Sequence, residues 1–273
     1  MQIHETAFII STYRSLYPEV SKDPYAHLWN NPKTNELLPE ILDTISKHEP
    51  LMHSLRNRFF LEELTTFFEQ HPNGTFLNFG AGFSMYQFVL PKSVQTIEID
   101  KKDIVDYKKE KITTWIKEGV IPKRNIKYLS MDFNTISVAK KADELLSLLS
   151  NTPTFILLEG VLFFLNADTT NQLFKIFGKI QKSGDILGSV SYDPKVKNTE
   201  VYQKLLTYFD KNNNTNDTFA HQTLPLSFYQ NQEEYEVIKH TDEFEIVHQY
   251  APHHLLPSKT RVLNESLYVL KRH

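Results

Sequence analysis

A doubly wound α/β fold around a seven-stranded, mostly parallel sheet is what the amino-acid sequence predicts, and two observations carry that expectation. Short apolar stretches at 75–79, 94–99, 126–130, 154–158 and 185–191 recur at intervals of roughly 30 residues, the spacing of strand–helix units. The segments between them, such as 103–117 and 142–149, are patterned as helices. That alternation requires crossover connections, so the strands run parallel and helices cover both faces. Two further stretches, 243–249 and 266–270, are close enough to pair antiparallel as a terminal hairpin and complete the seven.

Residues 1–70 form a helical N-terminal extension in this reading. Asp23-Pro24-Tyr25-Ala26 has the residues of a helix start, Asp as N-cap and Pro in the first turn. Apolar residues at 55, 59, 60, 64, 67 and 68 keep the 3.6-residue period of an amphipathic helix, which the turn His71-Pro72-Asn73-Gly74 ends. The single domain is then organised as a cap (1–70), a core (75–191), an acceptor-side insertion (192–242) and the hairpin (243–273), with an Asn-rich polar loop at 211–217.

Composition excludes several classes. A net charge of −3 leaves no basic stripe for nucleic acid. No apolar run approaches a membrane span, and no secretory signal opens the chain. The absence of cysteine excludes a disulfide scaffold and thiolate metal sites and fits a reducing compartment; a cytoplasmic protein is expected. The 11 histidines are scattered, and His253-His254 lacks metal-ligand spacing, so no metal is expected.

Glycine is scarce. Only 8 are present, where average usage would give about 19, so each is more informative of backbone need. Gly80 and Gly82 follow directly on the 75–79 strand, where a doubly wound sheet binds ligands, and a short helix is expected over 84–90. The dinucleotide fingerprint needs a third glycine, but Met85 occupies that place, which disfavours a nicotinamide enzyme and favours S-adenosyl-L-methionine (SAM), which has no pyrophosphate. Carboxylates close the next strands. Glu98 and Asp100 lie on one face of the second, and either can accept from ribose hydroxyls. Asp132-Phe133 after the third suits adenine, or Asp132 caps a helix. Glu159-Gly160 closes a wholly apolar fourth strand, a costly place for a charge without a cationic partner.

These residues, with Asp23-Pro24-Tyr25-Ala26, Arg56-Asn57-Arg58-Phe59-Phe60 and Lys108, stand in an order and spacing that resembles the leucine carboxyl methyltransferase family, which includes bacterial polyketide O-methyltransferases. The resemblance covers roughly residues 6 to 165. It implies a Rossmann-like class I SAM-dependent methyltransferase. Arg56 would hold the methionine carboxylate, Gly80 and Gly82 the cofactor backbone, Asp100 rather than Glu98 the ribose, Asp132 and Phe133 adenine, and Glu159 the methionine ammonium. Arg14 would lie near the methionine or acceptor carboxylate. Two departures stand out: Ser84-Met85-Tyr86 replaces the usual Asp-Thr-Arg, and Leu61 replaces a common Asp.

The expected reaction is methylation of a carboxylate, on a small molecule or a peptide C-terminus. Such an acceptor is already ionised and needs no base, so catalysis rests on alignment and dryness, and no base was assigned. A phenolic or alcohol acceptor would need one. A non-catalytic SAM- or nucleotide-binding module is the other alternative. Tyr13, Tyr17, Tyr192 and Phe228 are candidates for an aromatic acceptor pocket, with ordinary core packing as the competing role. The lysines of 106–111, Lys108 included, read as a solvated helix face, although Lys108 also matches a family position of structural role.

Overall fold

The computed structural model describes residues 3–133, 137–212 and 221–273. Its strands are β1 Thr75–Phe79, β2 Gln95–Asp100, β3 Asn125–Ser130, β4 Thr154–Leu158, β5 Ile186–Ser191, β6 Tyr235–Asp242 and β7 Ser266–Arg272. They form one sheet in the order β3-β2-β1-β4-β5-β7-β6. The first five are parallel, and β7 runs antiparallel to both β5 and β6. The sheet is therefore mixed, mostly parallel, with an antiparallel end.

The period of two along each strand sorts side chains to opposite faces. Phe76, Phe155 and Leu157 pack with α4 (Glu49–Gln70), whereas Leu77, Phe79, Ile156 and Leu158 pack with α7 (Ala167–Ile180). Strand order reverses between β1 and β4, and Phe79 is level with both Ile99 and Leu158. Residues following β1, β2 and β4 thus meet at one edge, the switch point where open α/β sheets bind ligands. Over that edge lie α1 (Ile3–Leu16), α3 (Pro32–Thr44) and α8 (Glu200–Asn212), joined by Ile9, Tyr13, Ile41, Ile45, Tyr192 and Leu205 in a separate apolar cluster.

Several expectations are corrected. Residues 243–249 are not a strand; they form helix α10 (Glu243–Tyr250), and the sixth strand is Tyr235–Asp242, inside the segment expected as the insertion. The signal was Asp242-Glu243-Phe244-Glu245: Asp242 caps the helix by accepting from the Glu245 N–H at 3.0 Å, and acidic residues in the first turn favour a helix N-terminus. The last two strands pair antiparallel but are not a tight hairpin, since α10 intervenes. Residues 84–90 contain only a 3-10 turn, Tyr86–Phe88, as does the segment after Asp23, Ala26–Trp29. Pro91 follows closely and disfavours a longer helix at 84–90. The expected loop at 211–217 lies outside the described residues apart from Lys211 and Asn212, which end α8.

Lys108 is a further correction. On α5 (Lys102–Lys117), the buried residues are Ile104, Val105, Lys108 and Ile112, so Lys108 sits on the core-facing stripe and is 1% exposed. Its Nζ donates to Glu98 Oε2 at 2.6 Å and to the Ala81 carbonyl at 3.3 Å. Burial pushes the lysine pKa down and the Glu98 pKa up, and each partner opposes the other's shift. Glu98 is thus spent on holding the turn after β1. Lys108→Met should cost about 3–5 kcal/mol, because it strands Glu98 without its counter-charge. Urea unfolding is the measurement, and adding Glu98→Gln should recover much of the loss; equal losses in the single and double variants would show that the pair is not the cause.

Candidate active site

The turn after β1 is built for close approach. Gly80 has φ +66°, and a Cβ there would meet Val161 Cγ2 at 2.0 Å, so only glycine fits. The Gly82 N–H donates to Asp100 Oδ2 at 2.8 Å and the Lys101 N–H to Oδ1 at 2.7 Å. Burial raises the Asp100 pKa while those two N–H groups lower it. Each carboxylate oxygen keeps acceptor capacity for another donor. Ser84, in place of the expected acid, accepts from Asn78 Nδ2 at 2.8 Å and donates to the Ala81 carbonyl at 2.9 Å.

At the end of β4, Glu159 meets Arg56. The guanidinium, 4% exposed, donates through Nε to Glu159 Oε1 at 2.8 Å and through Nη1 to Glu265 Oε2. Tyr86, standing where the family has arginine, donates its hydroxyl to Glu159 Oε2 at 2.8 Å. Gly160, φ +68°, turns the chain away beside the guanidinium. Glu265 precedes β7 and exchanges backbone contacts with Glu243, whose Oε2 accepts the Glu265 N–H at 3.0 Å. Burial would lower the Arg56 pKa, but Glu265, Glu159 and Glu243 outweigh it and raise it well above its ordinary value. Burial raises the pKa values of Glu243 and Glu265; each is raised further by a neighbouring glutamate, and Arg56 counteracts both shifts.

Beside Arg56 and Gly160 lies a cavity of about 120 Å³, walled by side chains such as Ile9, Ile41, Phe163, Leu205 and Phe209 and carrying Glu49, His53 and Glu265 among its few charged or polar groups.

A sequence profile described as leucine carboxyl methyltransferase matches residues 11–178. The chain belongs to the leucine carboxyl methyltransferase family. Its cofactor is SAM. The fold agrees with two solved structures. A Thermobifida fusca protein assigned as a methyltransferase is 12% identical, with 95% of this chain and 94% of that chain covered and a TM-score of 0.61. A DUF574 family protein from Streptomyces avermitilis is 13% identical, with 96% and 97% covered and the same TM-score of 0.61. No curated protein sequence matches the chain.

The residues present fit the cofactor of this family. The methionine end of SAM is a zwitterion, and Arg56 and Glu159 place complementary charges side by side at the switch point. Asp100, at the end of β2, retains the acceptor capacity a ribose needs. Phe133 is buried against the core, its ring 6.4 Å from Phe79, while Asp132 is exposed and is not the cap of α6 (Val138–Leu148), whose N-cap is Ser137.

The aromatic candidates separate. Tyr13 and Tyr192 line the cavity. Tyr17 instead packs edge-on against His254, with ring centroids 5.3 Å apart, and Phe228 packs against Phe174 at 5.1 Å, so neither is among the cavity-lining residues. Arg14 donates to Asp23 Oδ2 at 3.2 Å and to the Phe83 carbonyl at 3.1 Å and is not among the cavity-lining residues, but it is near enough to act electrostatically on His53 and Tyr86. Sequence reasoning missed Glu49, His53, Glu243 and Glu265. Only the first two left a trace, an i,i+4 spacing at the start of α4; the others converge through tertiary structure alone.

The glutamate excess makes a stability prediction. A carboxyl whose folded pKa is raised holds an extra proton in the native state between its ordinary value and the raised one, so stability falls as pH rises through that window. Relative to the wild type, Glu243→Gln, whose amide oxygen can still accept from Glu265, should be more stable by on the order of 1 kcal/mol at about pH 7.5. That difference should shrink as pH falls toward the ordinary glutamate range. Thermal unfolding across pH is the check; a difference that grows on acidification would reverse the assigned shift.

Proposed function

We propose that this protein is a SAM-dependent O-methyltransferase acting on one small, largely apolar acceptor held beside Arg56. The observation that carries this reading is the cavity itself, which shares Arg56 and Gly160 with the cofactor side and is otherwise walled by apolar and aromatic side chains. Its volume of about 120 Å³ is close to the roughly 150 Å³ that admits a benzene ring. A peptide C-terminus would call for an extended groove.

Bound SAM supplies a methyl group on a positively charged sulfur. Arg56 and Glu159 bind and orient its amino-acid end, and the turn with Asp100 fixes the nucleoside end. The apolar walls exclude water and hold the acceptor oxygen in line, where alignment lowers the barrier without a covalent intermediate. A carboxylate acceptor, the class the family resemblance implies, would need an unclaimed cation. Arg56, already paired with Glu159 and Glu265, is taken by the carboxylate of SAM itself, and Arg14 serves Asp23. A hydroxyl acceptor meets no such conflict, and the acceptor group is a hydroxyl, methylated in a reducing, cytoplasmic setting.

Calorimetric titration with SAM tests the cofactor half. Wild type should bind, and Arg56→Ala and Asp100→Ala should each weaken binding by about tenfold or more, the loss of one charge-assisted contact set. Absence of wild-type binding at millimolar SAM would refute the function.

A further inference from the structure

Two polar atoms at the charged end of the cavity have no hydrogen-bond partner among the described residues although they are buried: Glu49 Oε1 and His53 Nδ1. The Glu49 side chain is 6% exposed and the His53 side chain 11%, and both residues line the cavity. An unpaired buried polar atom is costly, and here two lie together in a cavity walled mainly by apolar and aromatic side chains. The imidazole is fixed on both sides. Its ring stacks on Tyr13, with centroids 5.3 Å apart and planes at 21°, and its Nε2 lies 3.7 Å from Glu49 Oε2.

The groups facing His53 define its proton state. Glu49 and Arg56 on α4 and Tyr13 and Arg14 on α1 act on it directly, and Tyr208 on α8 and Glu265 before β7 share its cavity. Burial first, then Arg56 and Arg14, holds the imidazole well below its ordinary range. His53 is therefore neutral at pH 7, with a ring lone pair free to accept. Burial, Glu265 and the opposing Arg56 leave the Glu49 carboxyl raised well above its usual value.

We propose that His53 is the base that takes the proton of a neutral phenol or alcohol bound in this cavity, with Glu49 as the group that positions the imidazole. This rests on the methyltransferase reading above. In the step, the acceptor O–H bond breaks and its proton passes to His53 Nδ1. The oxygen electron pair forms the new bond to the methyl carbon as the carbon–sulfur bond breaks, its pair staying on sulfur, which becomes a neutral thioether. The positive charge passes to the imidazolium, beside Glu49, and the proton then leaves to solvent.

The test begins without cofactor, using phenol and benzoate as matched probes in calorimetry. Phenol should bind the wild type about tenfold or more tightly than benzoate, because the cavity gives a carboxylate no unclaimed cation to offset its desolvation. Phenol affinity should stay flat across neutral pH and fall only as pH drops through the lowered His53 pKa, below the ordinary 6.5. The His53 Nδ1 signal in nitrogen NMR of the wild type should move on addition of phenol, which needs no variant. His53→Gln should weaken phenol about tenfold and abolish the acid fall while leaving SAM affinity unchanged. With SAM present, methyl ether formation should lose about a hundredfold or more in kcat in His53→Gln, with KM within a few-fold, and Glu49→Gln should retain more activity than Glu49→Ala. Benzoate binding as tightly as phenol, an unmoved Nδ1 signal, no phenol binding at millimolar concentration, or an unchanged kcat in His53→Gln would each overturn the assignment. Failure of SAM to bind would overturn the methyltransferase reading and leave the phenol result standing by itself.

Discussion

One guanidinium organises the functional edge of this protein. Arg56 reaches from α4 to Glu159, 103 residues away, and to Glu265, 209 residues away. A buried carboxylate is tolerable only with a counter-charge and hydrogen bonds, so the positions of the β4 end, the entry to β7 and the start of α10 are all coupled to this side chain. Glu243 also donates its backbone N–H to the Glu265 carbonyl and accepts the Glu265 N–H on its side-chain Oε2, which ties the start of α10 to the entry of β7. The constraint is directional: Arg56 has no acceptor capacity, so every group it orders is an anion or a carbonyl, and the region around it is acidic by construction.

A second buried pair does different work. Glu98 and Lys108 brace the turn at Gly80 and Gly82 from beneath, through the Ala81 carbonyl and Asn78. This leaves Asp100, one pleat further on, as the carboxylate at the ligand edge. Met85 completes the local logic. It is 1% exposed and packs with Trp29, Phe83 and Phe88, where a dinucleotide site would need glycine for close helix packing.

Much of the fold was legible because its period was local. The five parallel strands, their helices and the carboxylates closing β2, β3 and β4 could all be read from spacing, and strand register then brought Gly80, Asp100 and Glu159 together without further information. The errors arose where two periods compete or where burial depends on distant segments. Residues 243–249 carry apolar side chains compatible with either period, and the decisive cap, Asp242 with Glu245, was read past. Lys108 looks solvated in a run of charges but shares a stripe with Ile104 and Ile112. Tyr17 and Phe228 show that an aromatic side chain in the right region need not face the cavity, since composition cannot tell which face a residue presents.

The same division runs through the site only in part. The family match ends at residue 178 and contains Arg56, Gly80, Asp100 and Glu159, the cofactor side. Tyr192, Leu205, Tyr208, Phe209, Glu243 and Glu265 all lie beyond it, and five of these line the cavity. The acceptor wall is thus shared: nine of its seventeen lining residues, Tyr13, Glu49 and His53 among them, lie inside the matched segment and eight lie outside it. Replacement of the usual arginine by Tyr86 removes a positive charge beside Glu159, while Glu49, Glu243 and Glu265 crowd toward Arg56 with carboxyl groups that burial shifts toward their neutral form. On the function proposed above, a site with no unclaimed cation suits a neutral acceptor, and methylating one requires a group that takes its proton.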